Sequence, residues 1–171
     1  MLHLVPTPAD AASAHELLAE YFALRAEIFP GGGYVTTFPD PAVFVEPKGV
    51  FLVGEWSEDA SGEASSTEAA PVHAQPVAIG GIRRVPDGPA GTRYEVKHLY
   101  VRPIGRGRGW GRAVLEDLEA RARAFGAAEL VLDTHHSLEA AGGLYAASGF
   151  TAIEPYNDNP NATRWYGKLL A

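Results

Sequence analysis

"VRPIGRGRGWGRAVLEDLEARARAFG" spans Val101 to Gly126. Between Gly105 and Gly111, four glycines alternate with Arg106, Arg108 and Trp110, and Arg112 follows at once. Val114, Leu115, Leu118, Ala122 and Phe125 then recur at helical spacing, which predicts a helix from about Gly109 to Phe125, stopped by Gly126. The first amides of a helix have no intrahelical partner and carry the positive end of its dipole. Glycines let those amides approach a ligand without a Cβ in the way. With the arginines they form a cradle for a small, highly charged anion such as a pyrophosphate.

Spacing separates this loop from other phosphate cradles. The Gly-Lys-Ser/Thr end of a Walker A loop is absent, and so is the Asp-Phe-Gly that accompanies a kinase glycine loop. A dinucleotide fingerprint begun at Gly107 needs a small residue where Arg112 stands.

On either side of the loop, strands and helices alternate. Leu2–Val5 reads as a short strand. A helix is predicted over Thr7–Phe29, with Thr7, Pro8 and Asp10 as its start and apolar residues at helical spacing from Leu17 to Phe29. Residues 31–48 read as a loop or a short second helix. Strands follow at Gly49–Trp56, Pro76–Val85, Arg93–Val101 and Ala128–Thr134, the last continuously apolar and so buried on both faces. Ser137–Phe150 reads as a helix, with one or two more strands in the tail. The stretch 57–75 has no aromatic residue and carries four acids without a base, which predicts a mobile hairpin loop. The expectation is one α/β (α+β) domain over residues 1–171, a mixed sheet of six to seven strands flanked by about four helices.

Composition narrows the function. The 171 residues suit one domain, with 46% apolar and 20% charged residues. There is no cysteine, which excludes disulfides and thiolate chemistry. The N-terminus has no signal-peptide pattern, and no apolar run is long enough for a membrane span, so a cytoplasmic chain is expected. A net charge of −7 argues against a nucleic-acid partner and makes Arg102, Arg106, Arg108 and Arg112 a local exception.

Arg-Gly-Arg-Gly-Trp-Gly at 106–111 resembles the pyrophosphate loop of the GCN5-related N-acetyltransferases, the GNAT superfamily. The preceding "EVKHLYVRP" is similar to that family's fourth strand, and "LYAASGF" (Leu144–Phe150) to its LY-x-x-x-GF element. The resemblance implies acetyl-CoA as donor and a primary amine as acceptor. The amides of Arg106, Gly107, Arg108, Gly109, Trp110, Gly111 and Arg112 would hold the pyrophosphate. The backbone of Leu99, Tyr100 and Val101 would pair with the pantetheine arm, and an amide there would polarise the thioester carbonyl. Many members place an asparagine seven residues before the tyrosine of the LY element, where this chain has Leu138.

Two residues are candidates for catalysis. By family pattern, Tyr145 would protonate the departing thiolate, and Glu95 would take the amine's proton as in some members, including histone acetyltransferases; the residues alone also read as a core aromatic and as an edge carboxylate paired with Lys97 or Arg93. Strand alternation puts Glu95, Lys97 and Leu99 on one face, with Val96, His98 and Tyr100 on the other. His98 has the side chain of a proton shuttle near neutral pH, and also that of a packed strand residue. Asp133, His135 and His136 form a cluster without a well-spaced third ligand, so no metal site is expected. Glu20, Tyr21 and Arg25 on the first helix, and Tyr156, Asn157 and Asn159 in the loop "PYNDNPNA", are candidate substrate contacts.

The leading reading is therefore an acetyl-CoA-dependent N-acetyltransferase acting on a small-molecule amine or amino acid, as a monomer or homodimer. A protein lysine or N-terminal acetyltransferase and a non-catalytic acyl-CoA-binding domain are the alternatives.

Overall fold

The computed structural model describes residues 1–57 and 74–170. Its strands are β1 (Leu2–Pro6), β2 (Gly49–Trp56), β3 (Gln75–Gly88), β4 (Gly91–Val101), β5 (Glu129–Thr134), β6 (Thr151–Ala152) and β7 (Arg164–Leu169). They form one seven-stranded sheet in the order β1-β2-β3-β4-β5-β7-β6. The helices are α1 (Ala12–Ile28), α2 (Trp110–Ala124) and α3 (Glu139–Ala147), so the expected count of about four falls to three α-helices among the described residues. Two 3-10 turns, Pro41–Phe44 and Pro103–Gly105, accompany them. Most of the loop predicted over 57–75 lies outside the described residues.

α1 begins five residues later than the sequence suggested. The Thr7 hydroxyl donates to the Val5 carbonyl instead of capping a helix, and the Ala11 amide bonds the Pro8 carbonyl, closing a separate turn. From Ala12 onward a buried stripe forms: Ala14, Leu17, Leu18, Phe22 and, last, Arg25. α1 covers one face of the sheet, packing on Phe44, Phe51, Val53 and Ile79. α2 and α3 cover the other, over Leu52, Ala78, Ile82, Val96, Leu130 and Leu132.

Two irregularities in β4 shape the centre. β4 runs parallel to β5 over three pairs only, Arg93–Glu129, Tyr94–Leu130 and Glu95–Val131, and the strands then part. On its other side, Lys97 pairs with Gly81 but Tyr100 with Ile79, so three residue steps on β4 match two on β3. His98 takes the extra step at φ 55, the one non-glycine residue with positive φ among the described residues.

That bulge corrects the face assignment made from strict alternation. His98 packs against Tyr21, Phe22, Phe44 and Phe51 on the α1 side. Tyr100 joins the same side, while Leu99 turns to the α2 side with Val96 and Val101. Lys97 and His98 thus both face α1, and Leu99 leaves the face of Glu95.

Candidate functional site

The glycine–arginine loop builds what its composition suggested. Gly107 and Gly109 take φ of 75 and 76, and Gly109 is the residue before α2, with no side-chain cap. The first intrahelical bond runs from the Ala113 amide to the Gly109 carbonyl. Among the described residues, the amides of Gly107, Gly109, Trp110, Gly111 and Arg112 bond no acceptor. Trp110 anchors the loop: it is buried, and a Cβ on Gly105 would lie 2.2 Å from its ring. Arg108 stacks over Trp56 and Trp110, with centroid distances of 5.6 and 5.5 Å. Arg106 and Arg112 are exposed at the rim. Arg102, counted with these arginines in the sequence, is spent elsewhere: it pairs with Glu16 and Glu20 and donates to the Pro76 carbonyl. Free amides plus exposed guanidiniums fit a diphosphate.

Where β4 and β5 part, a cleft of about 610 Å³ opens. Val96, Lys97, His98 and Leu99 form one wall, and Asp133, Thr134, Leu138, Ala141 and Tyr145 the other. Tyr21, Phe22 and Arg25 close it from α1, and Tyr34, Phe38 and Asp40 from the following loop. Asn161 ties that loop to the 155–162 loop, donating to the Val35 carbonyl at 2.8 Å and accepting from the Val35 amide at 3.0 Å.

Tyr145 lines this cleft, buried against Phe150 and Tyr166. Burial pushes its phenol up to about 12, with smaller opposing effects from Arg25 and Asp133, so it holds its proton at neutral pH.

Glu95 does not line the cleft. Its side chain is 1% exposed and sits at the centre of a polar network. Arg83 donates to one oxygen at 2.8 Å through Nε. Tyr156 donates to the other at 2.8 Å, and the Lys97 ammonium lies 3.2 Å away. Asn157 bridges Glu95 and Asp133 at 3.3 and 2.7 Å, and its carbonyl accepts from Trp165. Lys97 completes the ring with bonds of 2.9 and 3.1 Å to Asp133. Burial raises Asp133, but the Lys97 charge and the bonds from Asn157, Lys97 and Asn159 outweigh it and hold the carboxyl below its ordinary value. Two carboxylates meet two cations, so the network is neutral.

Of the sequence-predicted substrate contacts, Tyr21, Arg25, Asn157 and Asn159 line the cleft. Tyr156 lies behind it on Glu95, and Glu20 turns to Arg102 and Tyr100. Burial pushes the Tyr21 phenol up, as burial and the Glu95 charge do for Tyr156. Asp133 goes to Lys97 and Asn157, while His135 and His136 stack on each other and bond Ser137 and Thr163. No group of three metal-ligating side chains occurs among the described residues. No described helix is long and apolar enough to cross a membrane.

Sequence reasoning missed Tyr34, Phe38 and the Lys97–Asp133 bond. Aromatic residues in the glycine-rich stretch after α1 were the available signal for the first two. The third joins positions 36 apart and has no local signature.

The surroundings of His98 disfavour the proton that a shuttle would carry near neutral pH. Burial, with the charges of Lys97 and Arg83, pulls its pKa down to about 3. An unfolded histidine takes up its proton near about pH 6.5. Its contribution to stability is thus fully present above that pH and is lost as pH falls toward 3, at up to about 1.4 kcal/mol per pH unit. His98→Asn keeps a residue that tolerates positive φ and removes the titration. Denaturant unfolding should show a flatter acid limb in the variant. Identical limbs would assign the acid loss to carboxylates.

Comparison with known proteins places this geometry. Residues 19–150 match the acetyltransferase (GNAT) family. The chain is 37% identical over 92 residues to an uncharacterized N-acetyltransferase of Schizosaccharomyces pombe, covering 54% of this chain and 56% of that protein. It is 43% identical over 84 residues to N-alpha-acetyltransferase 80 of Mus musculus, covering 48% of this chain and 25% of that protein. The chain therefore spans well under two thirds of either relative's length. Its fold is similar to that of an acetyltransferase of the GNAT family from Staphylococcus aureus, with a TM-score of 0.75 at 16% identity and 100% of both chains covered.

Proposed function

The chain belongs to the acetyltransferase (GNAT) family, and on that footing we propose that it moves the acetyl group of acetyl-CoA to a primary amine of a small molecule or amino acid. The observation that carries this reading is the row of unpaired amides at the start of α2, which follows in sequence the strand β4 that lines a cleft where β4 and β5 part.

Bound acetyl-CoA supplies an activated thioester. The amides of Gly107, Gly109, Trp110, Gly111 and Arg112 and the exposed Arg106 and Arg112 side chains would hold its diphosphate, whereas the Arg106 and Arg108 amides, expected to share in this, already donate to the Pro103 and Gly105 carbonyls. The edge of β4 beyond Glu95 has no ladder partner on β5, so the backbone of Leu99 to Val101 is open to pair with the pantetheine arm. An amide in this stretch of β4 would polarise the thioester carbonyl in this reading. Tyr145 holds a proton at Oη for the leaving sulfur. Glu95, with donors on both oxygens, accepts the amine's proton only by giving up one of them. Its first role in this reading is to fix Lys97 and Asn157 in the cleft wall, with Tyr156 bonded to it from behind.

Arg112→Glu tests the cradle. Arg112 is exposed, and an acidic side chain in the first turn of a helix favours the fold, so a loss of affinity reads the ligand. Calorimetry with CoA should show at least a tenfold weakening, about 1.4 kcal/mol. Unchanged affinity would remove the diphosphate from this loop.

A second reading, transfer to a polypeptide's α-amine, is favoured by the identity to N-alpha-acetyltransferase 80. Release of free thiol from acetyl-CoA, followed with free amines and with short peptides, separates the two. Turnover with peptides alone would replace the small-molecule acceptor.

A further inference from the structure

The last member of α1's buried stripe is a cation. Arg25 is 5% exposed, at a position that the helical spacing would otherwise make apolar. Its Nε is the one buried side-chain nitrogen or oxygen without a hydrogen-bond partner among the described residues. No described carboxylate forms an ion pair with it. The Tyr34 ring lies on one face of the guanidinium at 5.3 Å, and the rest of the group borders the cleft.

The other cations on the cleft walls are already matched. Arg83 pairs with Glu95, and Lys97 with Asp133 and Glu95. Asp40, at the exposed rim, accepts from the Ala42 amide. Among the described residues, Arg25 is thus the cation of the cleft without a carboxylate partner. Its place in the last turn of α1 puts it near the negative end of the helix dipole, a small favourable effect. A ring face adds about as much. Burying an unpaired ion costs far more than either effect returns, so neither offsets it. What does is an anion, and a guanidinium fork matches a carboxylate with two parallel bonds.

We propose that the acceptor carries a carboxylate close to the amine that is acetylated, and that Arg25 seats it in the cleft opposite Tyr145. This rests on the acetyltransferase reading given above. Arg25 and Tyr145 border the same cleft, and the Arg25 charge acts on the hydroxyls of both Tyr145 and Tyr21. An amine held one to three carbons from that carboxylate comes to the end of the site where the sulfur leaves. A cleft of about 610 Å³ takes the thioester end and an acceptor of amino-acid size. The carboxylate is either the α-carboxylate of a free amino acid or the side chain of an acidic first residue in a longer chain.

The test compares free L-amino acids with their α-amides, using thiol release, on the wild type and on Arg25→Met. The α-amides of aspartate and glutamate keep only a side-chain carboxylate and distinguish the two sources. At least one carboxylate acceptor should exceed its uncharged counterpart by about 100-fold in kcat/KM, and Arg25→Met should shrink that ratio to a few-fold. Thermal unfolding gives a readout independent of turnover. Without acceptor, Arg25→Met should melt no lower than the wild type, since the unpaired charge is gone. The preferred acceptor should raise the melting temperature of the wild type alone. Equal turnover of charged and uncharged acceptors, or a ratio unchanged in Arg25→Met, overturns the proposal and leaves the acetyltransferase reading intact. Turnover of none of the carboxylate acceptors also overturns it, and CoA calorimetry on the same preparation then shows whether the acetyltransferase reading falls with it.

Discussion

Glu95→Gln is expected to lower the unfolding free energy by about 3 kcal/mol, the lower end of what breaking a buried ion pair costs. The carboxylate receives Arg83, Lys97, Tyr156 and Asn157. A glutamine amide presents one acceptor and two donors, so its NH₂ must face groups that also donate. The Arg83 side chain is 37% exposed and recovers water, which keeps the loss at that lower end, while Lys97 at 17% recovers less. For a chain of this size, the drop corresponds to about 6–12 °C in melting temperature. Denaturant midpoints should fall with an unchanged slope, showing that the native state and not the unfolded chain has changed. Turnover should fall too, because Asn157 and Lys97 line the cleft and lose their anchor. The two roles separate with pH. Loss of a proton acceptor alone would leave stability near wild type and lower turnover by about 10²- to 10⁴-fold, partly rescued at high pH where more amine is already neutral. Loss of the network's centre gives a destabilised protein whose defect does not recover with pH. A variant as stable as the wild type and rescued by alkali would make Glu95 the base.

The segments with strong local signals were legible. The glycine–arginine loop, the helix after it and the strands flanking it follow from residues adjacent in sequence, and the structure has them within a residue or two. The start of α1 was misread because Thr7 and Asp10 carry the residue types of a cap, while Pro8 closes a turn of its own ahead of the helix. The faces of β4 were misread for a different reason. Alternation assumes one step per residue, and nothing in "EVKHLYV" marks His98 as the residue that takes an extra one. That single step moves Leu99 away from the Glu95 face. The cleft was least legible. Its polar network ties β3, β4 and β5 to the 155–162 loop, and its far wall comes from 34–40. Such contacts depend on how elements stack, which no local window contains. Arg25 stood in the sequence as one charged residue on an amphipathic helix, and its significance rests on burial without a partner.

Tyr145→Phe should leave the fold and CoA binding nearly intact and still reduce turnover by roughly 10- to 100-fold. The ring's contacts with Phe150 and Tyr166 do not involve the hydroxyl, and no described residue bonds that oxygen, so the stability cost should stay below about 1 kcal/mol. CoA affinity should change by a few-fold at most, because the cradle stands at the start of α2 and Tyr145 on α3. Turnover falls because the sulfur leaves as a thiolate unless a donor meets it. A thiol of pKa about 8.5 leaves moderately well unaided, which keeps the loss at the low end of general-acid effects. The raised phenol pKa adds a second, sharper expectation. With its proton held up to about 12, Tyr145 remains a donor across the working range, so the ratio of wild-type to variant turnover should be flat from pH 7 to pH 10. A phenol of ordinary pKa near 10 would begin to lose its proton within that window, and the ratio would fall toward one at its upper end. Turnover, CoA affinity and melting temperature measured on one preparation decide the matter. Turnover within about twofold of wild type, with affinity intact, would make Tyr145 a packing residue and give the proton to another donor.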